Sequence, residues 1–207
     1  MSGERGWFDI GFIVGARGWD HDAWVGGFYP DDLPSDWCLG YYANEFSGVL
    51  VPEPQWCGVG EAEWQEWCDE VPEGFSFYLE LSDTSEEQLR QFNVCAATLG
   101  RMLKGVLLLG GDAAMVVANP SLAIFKAVDF GGDCVHLIAP DEGGEHKGVL
   151  LDSGHMPDLR TLRKVLESVE CEGKADAITP VLFVVGEAPD VEKMREARTL
   201  LELMGIS

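Results

Sequence analysis

Apolar runs and polar breaks alternate along this chain in a pattern that predicts strands followed by helices. The run Ile10, Phe12, Ile13, Val14 predicts a first buried strand, which empties into residues 15–30, a loop of glycines, aromatics and acids. Pro34-Ser35-Asp36 opens a first helix, with Leu33, Trp37 and Tyr41 spaced to share one face. Ser47-Gly48 breaks it. A short strand over 49–51 then stops at Pro52 and Pro54, neither of which can donate a ladder hydrogen bond. Within GEAEWQEWCDE, Trp64, Trp67 and Cys68 sit at i, i+3 and i+4, which predicts an amphipathic helix with an acidic outer face. Phe75, Phe77, Leu79 and Leu81 alternate with Ser76, Tyr78 and Glu80 as a third strand. Thr84-Ser85-Glu86-Glu87 then fits a capping box, opening a helix through Leu89, Phe92, Ala96, Leu99 and Leu103. Residues 106–109 form a continuous apolar run closed by Gly110-Gly111-Asp112, the form of a parallel strand covered on both faces.

The middle of the chain carries shorter runs. We expect a strand over 114–118, a short helix over 121–128 and a strand over 134–139, followed by the polar loop PDEGGEHKG. Residues 149–151 predict a further strand. A helix over 157–169 turns Leu159, Leu162, Val165 and Leu166 inward and ends at Gly173. Residues 178–185 are the last strand, and Pro189-Asp190 opens a closing helix that buries Val191, Met194, Ala197, Leu201 and Met204, with Gly205 beyond its end. Such alternation calls for a parallel sheet with helices outside, an α/β fold, because parallel strands need a crossover.

The opening loop carries a resemblance. A strand ending in Gly15, then Gly18-Trp19, Trp24 and Phe28-Tyr29-Pro30, followed by LPSDWCLGYYANEFSGVLV, resembles the start of the YecE-like family, domain of unknown function 72, specifically over residues 10–51. That resemblance implies a TIM-type (β/α) barrel with no agreed activity. Here the barrel is small or incomplete, with seven to eight parallel strands, since a typical one needs about 250 residues. The polar residues that the family carries at its barrel ends fall on Leu50 and Pro52, on Glu80, on Leu151 and Ser153, and near Val185 and Gly186. This implies a diverged, shortened relative. An incomplete barrel exposes sheet edges, so a homodimer or a partner chain is expected to cover them.

Composition narrows the class. With 207 residues, 46% of them hydrophobic, the chain can bury one substantial core, and a single domain is expected. The start MSGERGWFD has neither the basic beginning nor the apolar segment of a signal peptide, so a soluble, cytoplasmic protein is expected. Six cysteines without a C-x-x-C pair fit reduced, buried thiols. Charge excludes more. The formal net charge is −22, and no Lys or Arg stands between Arg17 and Arg90. Nucleic acid and anionic membranes are therefore disfavoured as partners, while a basic protein partner suits the surface.

Candidate chemistry follows from the barrel rule that sites lie at the C-terminal ends of strands. That rule selects Arg17, Trp19, Asp20, His21 and Trp24 after strand one, Glu53 and Gln55 after strand two, Glu80 at strand three and Asp112 after strand four. Asp152 and His155 follow a later strand, and Glu187 the last. Glu53 and Glu80, with His21, form a candidate catalytic set. Two neighbouring carboxylates can split into acid and base on a sugar-like or carbonyl substrate. Arg17 is expected to neutralise Glu53 or Glu80, and Trp19 and Trp24 to form a lid over the mouth rather than a stacking platform. Arg17, Trp19, Trp24, Asp152 and His155 are the candidate ligand-binding residues. His21 or His155 with Asp20, Asp22 or Asp152 offers donors for a metal, but no close histidine spacing supports a site; no metal is assigned and the cofactor stays open. There is no P-loop, no G-x-G-x-x-G after the first strand and no G-x-S-x-G elbow. Two functions remain: a non-catalytic binding or interaction protein on a degenerate barrel, which is favoured, and an enzyme with a rebuilt acidic site.

Overall fold

Eight strands lie in one sheet in the order β1-β8-β7-β6-β5-β4-β3-β2. The structure is a computed structural model describing residues 11–116, 122–128, 135–139, 145–169 and 179–205. The strands are β1 (Ile13–Ala16), β2 (Gly48–Val51), β3 (Ser76–Leu81), β4 (Leu103–Leu108), β5 (Ala123–Val128), β6 (Val135–Ala139), β7 (Glu145–Asp152) and β8 (Val181–Val185). The helices are α1 (Cys38–Ala43), α2 (Glu53–Trp56), α3 (Glu61–Glu70), α4 (Glu86–Leu99), α5 (Leu159–Ser168) and α6 (Val191–Met204).

Alternation along each strand sorts side chains into two cores. Leu50, Tyr78, Leu107, Phe125, Leu137 and Phe183 face one another across the lumen, where Tyr78 meets Phe183 edge-on at 5.2 Å. Val49, Val51, Phe77, Leu79, Val106, Leu108, Leu182 and Val184 point outward into the layer shared with the helices. Helix starts follow capping chemistry. Ser85 accepts from the Gln88 amide, Asp158 from Thr161, and Asp190 from Glu192 and Lys193, each satisfying amides that the first turn leaves without partners.

The two ends of the strand order, β1 and β2, meet, so the ring is nearly closed. The β2-facing amides of β1 find side chains rather than a ladder. Val14 N donates to Ser47 Oγ (3.4 Å) and Ala16 N to the Tyr42 hydroxyl (2.7 Å), which in turn donates to Gly48 O (2.9 Å). Beyond them Gly18 N donates directly to Leu50 O at 2.8 Å, and Arg17 bridges Leu50. Glycine is required at this seam: a Cβ on Gly15 would come within 2.0 Å of Gly48 O. The open edge that suggested a homodimer is thus occupied from within the chain.

Several expectations are corrected. Over the expected helix 121–128, of which residue 121 lies outside the described residues, Ala123–Val128 is instead a strand parallel to β4, because Ala123 and Phe125 fill the lumen in alternation. In place of a strand over 114–118, Ala113–Met115 is a single 3-10 turn that Asp112 caps through the Ala114 amide, and residues 117 and 118 lie outside the described residues. β6 runs antiparallel to β5 and β7, so among the described strands the sheet is parallel apart from one reversed member. β4 begins at Leu103, where Gly100 at φ 55° has already ended α4. On α1 the buried side chains are Cys38, Leu39, Tyr42 and Ala43, while Trp37 and Tyr41 face outward at 64% and 39% exposure. Cys38 and Cys95 are buried free thiols, and burial pushes Cys95 up to about 12; Cys134, Cys171 and Gly173 lie outside the described residues.

Candidate functional site

At the C-terminal rim of the barrel, the inward-facing positions of β1 and β3 end in opposite charges. Arg17 lies two residues beyond Gly15, and Glu80 two beyond the lumen residue Tyr78, so both turn toward the mouth. They form a bidentate pair: Arg17 Nε donates to Glu80 Oε1 at 2.6 Å and Nη2 to Oε2 at 2.7 Å. The Glu80 side chain is 5% exposed and that of Arg17 37%. The hydrogen bonds that Arg17 donates to Glu80 hold the guanidinium above its ordinary value, so a permanent positive charge faces the buried acid. Behind them the Trp56 indole donates to Glu80 O at 2.8 Å.

Glu53, at the first turn of α2, is held separately. Its carboxylate accepts from the Ser82 amide and from Ser82 Oγ (2.7 Å), tying the end of β2 to the end of β3. The two acids therefore stand on adjacent strand ends, each already engaged by a different partner. His21 shares a hydrogen bond with Arg17 O at 3.0 Å and lies against the Trp24 ring at 4.4 Å; burial lowers its pKa, which keeps the ring neutral at pH 7.

The opening-loop tryptophans take places other than a lid. Trp19 packs edge-on against Trp67 at 5.0 Å, and Trp24 stacks parallel to Tyr42 while its indole donates to Pro189 O at 2.7 Å. Both belong to the outer core rather than the lumen, and so does Trp56. The remaining candidates are dispersed. Asp152 accepts from Gly154 N and caps the turn Ser153–His155, where His155 is exposed. Asp112 caps its own turn, Asp22 and Glu187 are exposed, and Asp20 and Gln55 line a cleft of about 620 Å³ beside α3. Among the described residues no group of three or more His, Cys, Asp or Glu is placed to hold a metal ion. No described helix is long and apolar enough to cross a membrane.

The sequence reading missed Ser82 and Tyr42. Ser82 follows the last residue of β3, so the rule of strand ends could have found it. Tyr42 sits in Gly40-Tyr41-Tyr42-Ala43, which reads only as helix until β1 and β2 are seen to approach. The family's polar positions map unevenly on the rim: Leu50 is a lumen residue, whereas Leu151 points outward beside Val149.

A nearly closed eight-stranded ring with helices outside and an ion pair at its C-terminal mouth defines a TIM-like barrel. The model of the family described as "Protein of unknown function DUF72" matches residues 13–119, and the chain belongs to that family. A crystal structure of a DUF72 family protein from Thermotoga maritima superposes with a TM-score of 0.57 at 13% identity, covering 94% of this chain and 99% of that one. A DUF72 family protein from Enterococcus faecalis gives 0.56 at 13% identity, covering 92% and 95%. At that identity the likeness speaks for the fold alone. No curated protein matches the chain.

Proposed function

We propose that this chain is a non-catalytic binding protein on a degenerate barrel. The observation that carries the reading is the engagement of both candidate acids: Glu80 is locked by Arg17, and Glu53 by Ser82. A general acid or base must be free to exchange a proton with a substrate within hydrogen-bond reach. A carboxylate whose two oxygens are held by a guanidinium serves instead as a fixed counter-ion. Pro52, Leu109 and Val185, at three other strand ends, support the same reading, since strand ends of a barrel enzyme present polar groups there.

The test uses aryl glycosides and aryl esters as chromogenic substrates. Absence of turnover, with the Glu80→Gln protein folded but measurably less stable, supports the binding reading. Turnover that disappears in Glu80→Gln and Glu53→Gln while folding is retained establishes a rebuilt acidic enzyme instead.

A further inference from the structure

Away from the mouth, one flank of the barrel combines two features. The first is aromatic. Trp37 and Tyr41 lie one turn apart on the outward side of the first helical segment, and with Leu33 they line a shallow cleft of about 420 Å³. The second is charge. The adjoining cleft of about 620 Å³ is floored by Trp19 and Trp67 and walled by Asp20, Asp36, Glu66 and Glu70. Asp36 and Glu70 line both clefts, so the two form one continuous surface. Its shape is fixed by close packing: a Cβ on Gly40 would stand 3.3 Å from Glu70 O, so α1 abuts the last turn of α3 there.

Among the described residues no Lys or Arg pairs with Asp20, Asp36, Glu66 or Glu70. The carboxyl of Glu70 is pushed above its ordinary range by burial and by the repulsion of Asp36 and Glu66. The sequence supplies no local remedy, because residues 18–89 contain no Lys or Arg. A large exposed ring beside unneutralised carboxylates suits a partner that brings both apolar contact and positive charge. Arginine does both, stacking on aromatic faces while pairing with carboxylates.

We infer that the Trp37–Tyr41 cleft and the acidic cleft beside α3 together dock a basic polypeptide segment of another protein, its apolar side chains on Trp37 and Tyr41 and its arginines or lysines against Asp36, Glu66 and Glu70. The inference rests on the binding reading above and locates the binding on the flank of the barrel. Phosphate backbones and anionic lipid are repelled by the same surface.

The experiment measures binding of a short synthetic peptide of alternating arginine and leucine, with a glutamate-leucine peptide as control, by fluorescence anisotropy at physiological salt. Asp36→Asn with Glu66→Gln and Glu70→Gln should weaken binding at least about tenfold, as removing close interfacial charges does. Trp37→Ser, at a side chain too exposed to matter for folding, should weaken it at least about fivefold. Glu86→Gln with Glu167→Gln and Glu202→Gln changes net charge equally from exposed positions elsewhere and should weaken it less than about twofold. Unfolding midpoints verify that each variant folds. Equal weakening by both triple variants overturns the inference, since binding would follow net charge. It is also overturned by absence of binding, by indifference to Trp37→Ser, or by self-association in ultracentrifugation that Trp37→Ser abolishes. The chromogenic assay at the mouth is independent, so failure on the flank and failure of the binding reading are told apart.

Discussion

The two halves of this barrel look alike from inside and different from outside. In the lumen, Leu50, Tyr78 and Leu107 of the first half meet Phe125, Leu137 and Phe183 of the second in one packed layer. On the outer face, β3 and β4 carry Phe77, Leu79, Val106 and Leu108, all nearly inaccessible beneath helices, whereas β5 presents Ile124, Lys126 and Val128 only half-buried. No described helix intervenes between β5 and β7, and β6 is reversed. A reversed strand still places every second side chain inward, so the lumen keeps its filling when direction changes. Closure of the ring thus needs the alternation, while helical cover of the outer face is separable from it.

The sharpest way to break that comparison is in the opening loop, which caps the well-covered half. Trp24 is 4% exposed, stacked on Tyr42 and hydrogen-bonded to Pro189 O. Trp24→Ala should cost about 3 to 5 kcal/mol in chemical denaturation, a severe loss for a domain of ordinary stability, roughly 5 to 15 kcal/mol. His21→Ala, beside it, removes a half-buried ring that packs on Trp24 and shares a hydrogen bond with Arg17 O, and should cost less, about 1 kcal/mol. A stable Trp24→Ala protein would mean that the loop is not part of the core.

Matched truncations on equivalent faces measure the contrast itself. Leu79 on β3 is fully buried in the outer layer, and Ile124 on β5 is partly buried against it. Leu79→Ala should cost about 2 to 5 kcal/mol. Ile124→Ala should cost markedly less, about 1 kcal/mol, because less of it leaves water on folding. Equal losses would show that the second half is covered as well as the first.

The seam between β1 and β2 provides a smaller effect. Tyr42→Phe keeps the ring but leaves Ala16 N and Gly48 O, both buried, without the hydroxyl that joins them. About 1 to 3 kcal/mol should be lost, the cost of orphaned buried polar groups. Hydrogen exchange at Ala16 should accelerate more than exchange in β3, where each neighbour is laddered. Uniform acceleration would show global destabilisation rather than an opened seam.

The same contrast explains what could be read from residues alone. The first, third and fourth strands carry alternating or continuous apolar runs, and glycine or proline closes the first, second and fourth; these give their order and the rim residues Arg17 and Glu80 directly. Residues 121–128 contain a short apolar run with no breaker inside it, and only the lumen contacts of Ala123 and Phe125 decide strand over helix. Around α1, Leu33-Trp37-Tyr41 and Cys38-Tyr42 both recur every four residues; six helical residues are too few for period to choose the buried set. The site was legible as a set of strand ends but not as a set of bonds. Which acid takes Arg17 depends on the distance between β1 and β3, and that is fixed by the seam.

The smallest expected effect concerns how the first half is fastened to the end of the chain. Glu45, just past α1, accepts from Arg195 Nε and Nη2 at 2.5 and 2.8 Å, and Arg198 donates to Glu45 O at 2.7 Å. The bonds from Arg195 hold the Glu45 carboxyl below its ordinary value of 4.5. A depressed carboxylate binds fewer protons folded than unfolded, so its contribution is complete above pH 4.5 and is lost as pH falls through the lower native value. Arg195 is 38% exposed, and screening by solvent limits the pair. Glu45→Gln should therefore cost under about 1 kcal/mol at pH 7. That difference should close as pH drops below 4.5 and shrink at high salt. Glu167 pairs with Arg163 within α5, where both side chains are at least half exposed. Glu167→Gln should change stability by no more than about 0.5 kcal/mol at pH 7, because an exposed pair along one helix fastens nothing to anything else. A Glu45→Gln difference that persists unchanged under acid would mean that the charge plays no part, and that packing of Arg195 over Phe28, 5.9 Å from the ring centre, joins α6 to the opening loop.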